Sequence, residues 1–264
     1  MESRFKYKYE THMHDCEVSA CGRTHARDYV YKYLELGYSG IIVTDHFFNG
    51  NCIMKADDIT DWKSAIDFYC HGYELVKDEG DKKGLKVFFG IEDNYGCDEY
   101  LVYGIDRQWL YNHPDMLTWS RKEHYEKIHN AGGMVIQAHP YRERNYISQI
   151  KLNPYYVDGA EVSNAGNPAE QDILAYRYAL KYGLHMTAGS DMHNIESQNT
   201  YFGIASEKPL ATIQDYISLI KSGSLGRDYE LITGQERLDL KNECKPGLPV
   251  LKYSVDCKME KVAE

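Results

Sequence analysis

The sequence predicts an α/β fold with a parallel sheet, and the positions of its polar residues favour a barrel. Short apolar runs, many of them rich in β-branched residues, alternate along the chain with longer segments of helical periodicity. The first run, residues 6–11, alternates apolar and polar residues, whereas the run at 40–44 shows no alternation, as expected where helices cover both faces of a parallel sheet. Strand–helix–strand order implies right-handed crossovers between parallel strands.

Seven strands are predicted, over residues 6–11, 40–44, 85–91, 99–104, 134–138, 159–162 and 185–189. The fourth of these has the weakest pattern. Helices are predicted over residues 24–36, 61–77, 119–131, 168–182 and 211–221, with residues 78–84 as a charged connector. We expect Thr24 to cap the first helix and Gly37 to end it. The chain shows no composition break, which predicts one domain over residues 1–264 with short strand-like runs from about residue 228.

Composition and charge narrow the class of protein. A chain of 264 residues with 43% hydrophobic and 27% charged residues can bury a full core and is ordinary for a soluble globular protein. The formal charge of −10 disfavours binding to a nucleic-acid backbone, which depends on lysine and arginine clusters. A small anionic substrate fits this charge only where metal ions or arginines overcome it locally.

The cysteine pattern and hydropathy predict a cytoplasmic protein. None of the seven cysteines forms a Cys-x-x-Cys pair, as expected for reduced thiols. The N-terminal residues show no signal-peptide pattern, and no run approaches the roughly 20 apolar residues of a membrane span. We expect no membrane partner, and the sequence leaves the oligomeric state open.

Metal-binding residue types recur where predicted strands end. His12 and His14 have the i, i+2 spacing that places two imidazoles on one side of an extended chain. The other candidates at strand ends are His46, Glu92, His139, Asp191 and His193. In a (β/α) barrel the loops at the carboxyl ends of the strands converge on one site. The sequence therefore predicts a ring of metal ligands at that face.

The ligand types limit the metal. Histidines and carboxylates without cysteine suit Zn, Mn or Fe, and the sequence leaves the choice among the three open. So many ligands exceed the needs of one ion, so we expect two or three divalent ions. Glu92 and Asp191 are natural bridging groups because a carboxylate offers two oxygens.

Five motifs together resemble the PHP (polymerase and histidinol phosphatase) superfamily, in the order found there. They are residues 11–14 (Thr-His-Met-His), 43–46 (Val-Thr-Asp-His), 90–92 (Gly-Ile-Glu), 138–140 (Ala-His-Pro) and 189–193 (Gly-Ser-Asp-Met-His). The resemblance implies a distorted TIM-like (β/α)7 barrel and a phosphoesterase site with two or three metal ions. The chain length resembles that of the stand-alone phosphatases.

The resemblance also implies a distribution of the ligands. His12, His14, Glu92 and Asp191 would surround one ion. His139 would hold a second ion with Glu92, and His46 would hold a third with His193.

The sequence departs from the family pattern at two places. Members usually carry an Asp or His a few residues after the His-x-His motif, where this chain offers Asp15, Glu17 and, further on, His25. Glu17 is the preferred candidate because its side chain can reach back toward His14. Many members also carry a His on the strand after Gly-Ile-Glu. Here that strand has none, and Asp98 is the candidate substitute.

The expected activity is hydrolysis of a small phosphomonoester, similar to histidinol phosphate or a nucleotide. A metal-bridging hydroxide would attack phosphorus in line, with Glu92, Asp191 and His193 as the catalytic residues. Arg142 and Arg144 follow the third histidine motif and are the candidate phosphate-binding residues, with Arg23 a weaker one. The leaving-group acid stays open between a metal-bound water and His193.

Two other functions compete with this one. The first is a phosphodiesterase or exonuclease that acts on nucleotides or short nucleic acid; the acidic balance makes long nucleic acid an unfavourable substrate. The second is a catalytically silent barrel that binds metal and acts as a partner module. The substrate depends on loops whose sequences name no leaving group.

Overall fold

Nine strands form one sheet that curls almost into a closed barrel in the computed structural model, which describes residues 3–262. Its strands are β1 Tyr7–Glu10, β2 Gly40–Val43, β3 Lys86–Asn94, β4 Glu99–Tyr103, β5 Met134–Ala138, β7 Gly159–Asn164, β8 His185–Gly189, β9 Gly203–Ser206 and β10 Tyr229–Ile232. The order across this sheet is β10-β9-β1-β2-β3-β4-β5-β7-β8. A smaller sheet of β6 Ile150–Leu152, β11 Val250–Tyr253 and β12 Met259–Lys261 lies beside it.

Strand direction confirms a distorted α/β barrel. Strands β1, β2 and β3 pair in parallel, and so do β5, β7 and β8. Strand β4 is antiparallel to both of its neighbours, so the two parallel groups run in the same direction. Strand β9 pairs antiparallel with the free edge of β1, and β10 with β9. These two strands lie beyond the seven that the sequence predicts.

The barrel closes at the carboxyl ends of β1 and β8. Met13 and Met192 form an isolated parallel bridge there. The His14 N–H donates to the Met192 carbonyl at 2.9 Å, and the Met192 N–H donates to the His12 carbonyl at 3.2 Å. The two segments that carry the His-x-His and Asp-x-His motifs are therefore paired backbone to backbone.

Helices cover the outside of the barrel. They are α1 Ala26–Glu35, α2 Trp62–Lys83, α3 Arg107–Tyr111, α4 Arg121–Asn130, α5 Ala169–Tyr182 and α6 Ile213–Ser222. Tyrosine dominates the contact between layers: of the twelve largest fully buried side chains, eight are tyrosines. A buried tyrosine needs a partner for its hydroxyl, and several of these hydroxyls bind the backbone near the carboxyl end of β1. Among residues 3–262, no helix combines the length and apolar character needed to cross a membrane.

Several predicted boundaries were wrong. Residues 78–83 of the charged segment belong to α2, and the left-handed Gly84 caps its C-terminus. Strand β3 runs past Glu92 to Asn94 because β4 pairs with it over that stretch. Thr24 does not cap α1; its hydroxyl accepts from the Ile195 N–H, and His25 occupies the cap position. Strands β6 and β9 and helix α3 lack the length or pattern that sequence reading requires.

We expect Gly203→Ala to lower the free energy of unfolding by about 2–4 kcal/mol. Gly203 has φ +146°, and a Cβ there would lie 2.1 Å from the Tyr9 carbonyl oxygen, which would force β9 away from β1. Gly37→Ala is the control, since its φ is +73° but its Cβ would meet nothing within 4 Å. Its cost should stay at about 1–2 kcal/mol. Urea denaturation of both variants measures the difference, and equal losses would contradict the close approach of β9.

Candidate metal centre

The backbone of the His-x-His motif is fixed by a buried carboxylate. Glu10 Oε1 accepts from the N–H groups of Thr11, His12 and Ser190, each at 2.9 Å. Glu10 Oε2 accepts from the Tyr33 hydroxyl at 2.6 Å. Burial raises the pKa of Glu10, while the hydrogen bonds from Ser190, Tyr33 and His12 oppose that rise. Glu10 therefore holds the ends of β1 and β8 together below the two histidines.

The imidazoles of His12 and His14 converge on one point. Their Nε2 atoms lie 3.0 Å apart, and both residues are fully buried. Two ring nitrogens at this separation indicate that both lone pairs are directed to a shared region, as in a pair of metal ligands. The His14 carbonyl accepts from the Tyr29 hydroxyl at 2.7 Å, and the Met13 N–H donates to Thr44 Oγ1 at 3.0 Å.

Glu92 lies at the centre of the group. Its Oε1 is 3.2 Å from His12 Nε2 and 3.1 Å from His139 Nε2. Its Oε2 is 2.8 Å from His46 Nδ1 and 3.4 Å from His14 Nε2. Burial would raise the pKa of this carboxyl, but the imidazoles of His12 and His46 outweigh burial and hold the pKa well below its usual range.

Asp191 completes the ring from the β8 side. Its Oδ1 is 3.1 Å from His14 Nε2 and 3.4 Å from His12 Nε2. Its Oδ2 is 2.5 Å from Arg142 Nη2. Burial would raise the pKa of Asp191, but Arg142, His12 and His193 hold it well below its usual range. His193 stands at the edge, 28% exposed, with its Nδ1 2.7 Å from the Asp191 carbonyl oxygen.

Glu161 orients two of these histidines and was not predicted. It lies inside β7, and its Oε1 is 3.0 Å from His12 Nδ1. Its Oε2 accepts from the His139 N–H at 3.2 Å and from Asn164 Nδ2 at 2.8 Å. A carboxylate behind a ligating imidazole fixes its tautomer and raises its basicity. The only sequence signal was an acidic residue within a short, otherwise uncharged strand.

The carboxylate that β4 supplies is Glu99, not Asp98. Glu99 Oε2 lies 3.5 Å from His139 Nε2, and Glu99 groups with His46 and Glu92. Asp98 points away, with its carboxylate 2.6 Å from both Arg121 Nε and the Tyr100 hydroxyl. Successive side chains along a strand project to opposite faces, so one residue decides which acid enters the barrel.

The loop after β1 turns its acidic residues away from the ring. Glu17 Oε1 lies 3.1 Å from His25 Nδ1, and its Oε2 accepts from the Ala26 N–H at 3.0 Å. The Asp15 carboxylate accepts from backbone N–H groups of its own loop. The structure therefore does not bring Glu17, Asp15 or His25 into the ring. Cys21 lines a cavity beside the ring instead.

The surroundings of Cys21 favour its thiolate. Burial would raise the pKa of this thiol, but the nearby imidazoles of His193 and His46 lower it to about 6. Cys16 of the same loop differs, since burial and the neighbouring Glu17 raise its pKa to about 11. Sequence reading missed Cys21 because a single cysteine in a loop carries no spacing pattern.

The donor set fits divalent metal ions. Four overlapping groups each have one donor atom per residue within 4.8 Å of the others: His12, His14 and Asp191; His12, Glu92 and His139; His14, His46 and His193; and His46, Glu92 and Glu99. His46 Nδ1 and Glu92 Oε2 are buried, and neither makes a hydrogen bond of good geometry despite their 2.8 Å separation. Nitrogen and oxygen donors in this proportion suit Zn, Mn or Fe.

A cavity of about 580 Å³ opens beside this ring, lined by His46, Asp191 and His193 among other residues. Arg142 and Arg144 lie on one side of it and Asn51 and Asn94 also line it. The Arg142 guanidinium is fixed by Asn167 Oδ1 at 2.9 Å and by Asn164 Oδ1 at 2.8 Å. Arg144 Nη2 donates to the Gly166 carbonyl at 2.7 Å. Both predicted phosphate-binding arginines therefore reach the cavity.

Fold and site together define a TIM-like α/β barrel with histidines and carboxylates clustered as for divalent metal ions, where the carboxyl ends of several strands meet. No protein-family model and no curated protein matches the chain by sequence. Solved structures match it by fold. A two-domain protein of Bacteroides vulgatus that contains a predicted PHP-like metal-dependent phosphoesterase aligns with a TM-score of 0.61 and 15% identity.

That alignment covers 82% of this chain, and the chain spans only 63% of the Bacteroides protein. PsfC from Pseudomonas syringae matches with a TM-score of 0.55 and 16% identity over 89% of this chain and 94% of PsfC. The lesion-specific endonuclease PfuEndoQ from Pyrococcus furiosus matches with a TM-score of 0.51 and 11% identity, over 84% of this chain and 57% of its own. At these identities the likeness shows a shared fold, which confirms the fold that the five motifs predicted.

We expect Glu161→Gln to weaken metal binding by about 10–100-fold, because a neutral amide no longer polarises His12 through Nδ1. Competition with a chromophoric chelator during zinc titration measures the affinity. Glu170→Gln is the matched control, because Glu170 is an exposed acid on α5. An unchanged zinc affinity in Glu161→Gln would show that Glu161 has no role behind His12.

Proposed function

We propose that this chain is a PHP-type metal-dependent phosphoesterase that hydrolyses a small phosphomonoester. One observation carries the proposal: a ring of imidazoles and carboxylates is centred on Glu92, and three of its members, His46, Asp191 and His193, line one cavity together with two arginines. Metal ligands and arginines are the two kinds of group that phosphoryl transfer requires, since its catalysis rests on positioning and charge neutralisation.

Two or three divalent ions would be held by these four donor groups. Glu92 belongs to two of the groups and could serve two ions, whereas Asp191 belongs to the group of His12 and His14. Ions bound there would make a nucleophile available from water at neutral pH and neutralise the phosphoryl oxygens. Glu99 would support the ion beside His139 and thereby replace the histidine that many PHP members carry on this strand.

Arg142 and Arg144 would have different roles in phosphate binding. Arg142 is committed to Asp191, Asn164 and Asn167, so it orients a metal ligand and presents its remaining N–H groups in a fixed direction. Arg144 bonds only backbone carbonyls and is freer to follow the substrate. A planar guanidinium binds two phosphate oxygens at once.

His193 is the proposed proton donor to the leaving group in the form with two bound ions, in which the position that it shares with His14 and His46 holds no ion. It is the most exposed histidine of the ring, and its Nδ1 is fixed by the Asp191 carbonyl. Because Nδ1 makes that hydrogen bond, Nε2 is the nitrogen of His193 that is left to face the cavity. The nearby carboxylate of Asp191 raises the pKa of His193 against the effect of burial, which favours the protonated form.

The cavity favours a small substrate. A volume of about 580 Å³ suits a phosphorylated metabolite or a mononucleotide. The formal charge of −10 opposes binding of a long polynucleotide. PfuEndoQ is an endonuclease, so diester substrates belong in the same assay. The predicted cytoplasmic location and the absence of a membrane partner stay predictions.

We expect the purified protein to contain two or three metal ions per chain and to hydrolyse p-nitrophenyl phosphate. The Asp191→Ala variant should lose most of the bound metal and most of the hydrolytic activity. Asp191 contacts His12 and His14, so its loss opens the ring. Elemental analysis and the rate with added Zn or Mn measure the two effects. Glu196→Gln, an exposed acid five residues further on, is the control and should keep both.

The outcomes separate the three functions. Faster hydrolysis of p-nitrophenyl phosphate than of bis-p-nitrophenyl phosphate or oligonucleotides would support the phosphatase. Preference for the diester or for oligonucleotides would support a nuclease instead. Bound metal without turnover of any substrate would favour a silent module, and no metal after reconstitution would contradict the site itself.

We expect Arg144→Ala to lower kcat/KM for a phosphomonoester by about 10–100-fold, mainly through KM, because one charge-assisted contact to the bound phosphate is lost. Steady-state kinetics give the split between kcat and KM. Arg27→Ala removes an exposed arginine of α1 outside the cavity and should leave both constants unchanged. A fall in kcat alone would place Arg144 in the chemical step and not in ground-state binding.

A further inference from the structure

A separate group of metal-binding side chains lies in the loop after β1, outside the ring. Cys16, Glu17 and His25 each offer one donor atom, and these atoms lie within 4.8 Å of one another. All three residues differ from those of the four groups that form the ring. Cys16 and Glu17 are partly buried, whereas the His25 side chain is 75% exposed. The loop therefore carries a set of donors that the proposed phosphoesterase centre does not use.

The three donors converge on one imidazole nitrogen. His25 Nδ1 lies 3.2 Å from Cys16 Sγ and 3.1 Å from Glu17 Oε1. Cys16 Sγ in turn lies 3.6 Å from Glu17 Oε2. At the usual zinc bond lengths, a tetrahedral ion with sulfur, nitrogen and oxygen ligands separates these donors by about 3.4–3.6 Å. The side chains thus already lie close to one face of such a tetrahedron, which leaves its fourth corner for water.

Hydrogen bonds to the backbone hold this arrangement in place. Glu17 Oε2 accepts from the N–H of Ala26, the first residue of α1, at 3.0 Å. That contact leaves Oε1 to face His25. The Cys16 N–H donates to the Thr24 carbonyl at 3.0 Å. Cys16 and His25 therefore lie at the two ends of a loop that its own backbone closes.

We propose that Cys16, Glu17 and His25 bind one zinc ion, with water as the fourth ligand. Sulfur, imidazole and carboxylate are the ligands that zinc takes in proteins, and a sulfur ligand favours zinc over manganese. The site lies outside the proposed phosphoesterase centre and does not depend on its activity.

Binding exchanges a proton for the ion. Burial and the nearby Glu17 carboxylate raise the pKa of the Cys16 thiol to about 11, so the metal-free chain keeps the thiol protonated. When zinc binds, the zinc–sulfur bond forms and the thiol proton leaves to solvent, with no change of oxidation state.

A zinc ion here would fix a loop that contacts the ring. Between the two ends of the loop, Ser19 Oγ donates to Asp45 Oδ1 at 2.7 Å and accepts from the His46 N–H at 3.1 Å. The Arg23 N–H donates to the His193 carbonyl at 2.8 Å. An ion that joins the ends of a loop limits the conformations that the loop can reach. The proposed role of the zinc ion is therefore structural.

Cobalt substitution tests the site through an exposed ligand. The chain is stripped of metal with a chelator and titrated with Co²⁺, and absorption spectra are recorded for the wild type, His25→Ala and His71→Ala. We expect a near-ultraviolet sulfur-to-cobalt charge-transfer band in the wild type and its loss in His25→Ala. His71→Ala removes an exposed histidine of α2 and should keep the band. Because His25 is exposed, its replacement should leave the fold intact.

Two cysteine variants identify the sulfur. Cys16→Ser should lose the charge-transfer band, whereas Cys21→Ser should keep it, because Cys21 belongs to the same loop but lines the cavity. A band that is lost in Cys21→Ser and kept in Cys16→Ser would overturn the proposal.

Alkylation gives an independent readout in the unmodified chain. Iodoacetamide labelling followed by peptide mass spectrometry should modify Cys16 in the metal-free wild type and spare it after zinc is added. In His25→Ala, zinc should no longer protect Cys16. Equal protection in the wild type and in His25→Ala would contradict the site.

Asp191→Ala separates this site from the ring. The variant should lose cobalt from the ring and keep the sulfur-to-cobalt band, and loss of the band would place the sulfur ligand in the ring and overturn the proposal. A wild-type chain that binds cobalt without the band also overturns the zinc site and leaves the phosphoesterase centre untouched. A wild-type chain that shows the band but hydrolyses no phosphoester supports the zinc site and overturns the proposed function alone.

Discussion

One buried carboxylate organises this protein. Glu92 lies in the interior of an apolar barrel, within 3.4 Å of nitrogens from His12, His14, His46 and His139. Removing a carboxylate from water costs several kcal/mol unless opposite charge surrounds it. The imidazoles supply that compensation in the chain alone, and bound cations would supply more. The strands are arranged so that four of their ends and loops can reach this single group.

The sequence was informative where polar residues follow apolar strands. His46, His139 and Asp191 could be placed at one end of a barrel because each follows a largely buried apolar strand within three residues, and His12 because it forms an i, i+2 pair with His14 after β1. The partners that orient or complete the ring gave no such signal. Whether Glu99 or Asp98 enters the barrel depends on the antiparallel register of β4, which a single sequence does not reveal.

The loop after β1 shows a second limit of sequence reading. Glu17 was the natural choice on charge and reach, yet its carboxylate binds the first N–H group of α1 and His25. Cys21 enters the cavity because Ser19 and Arg23 fix the loop to Asp45, His46 and His193. Such contacts join residues that are far apart in the chain, so the local sequence pattern does not predict them. Two backbone conformations also depend on contacts that are distant in the chain. His139 and Asp191 have φ of +29° and +51°, which non-glycine residues rarely adopt unless the surrounding structure enforces it.

The pairing of Met13 with Met192 sets the order in which this centre can come into being. Residues about 180 positions apart must meet before His12 and Asp191 can lie side by side, as the bridge between Met13 and Met192 and the hydrogen bond from Ser190 to Glu10 show. During synthesis β1 leaves the ribosome long before β8. Until β8 has been made, His12 and His14 have no contact with Asp191. Long-range closure of this kind slows folding. A bound ion would then link the carboxyl ends of β1 and β8. Metal binding would therefore follow the pairing of these two strands and stabilise the closed barrel.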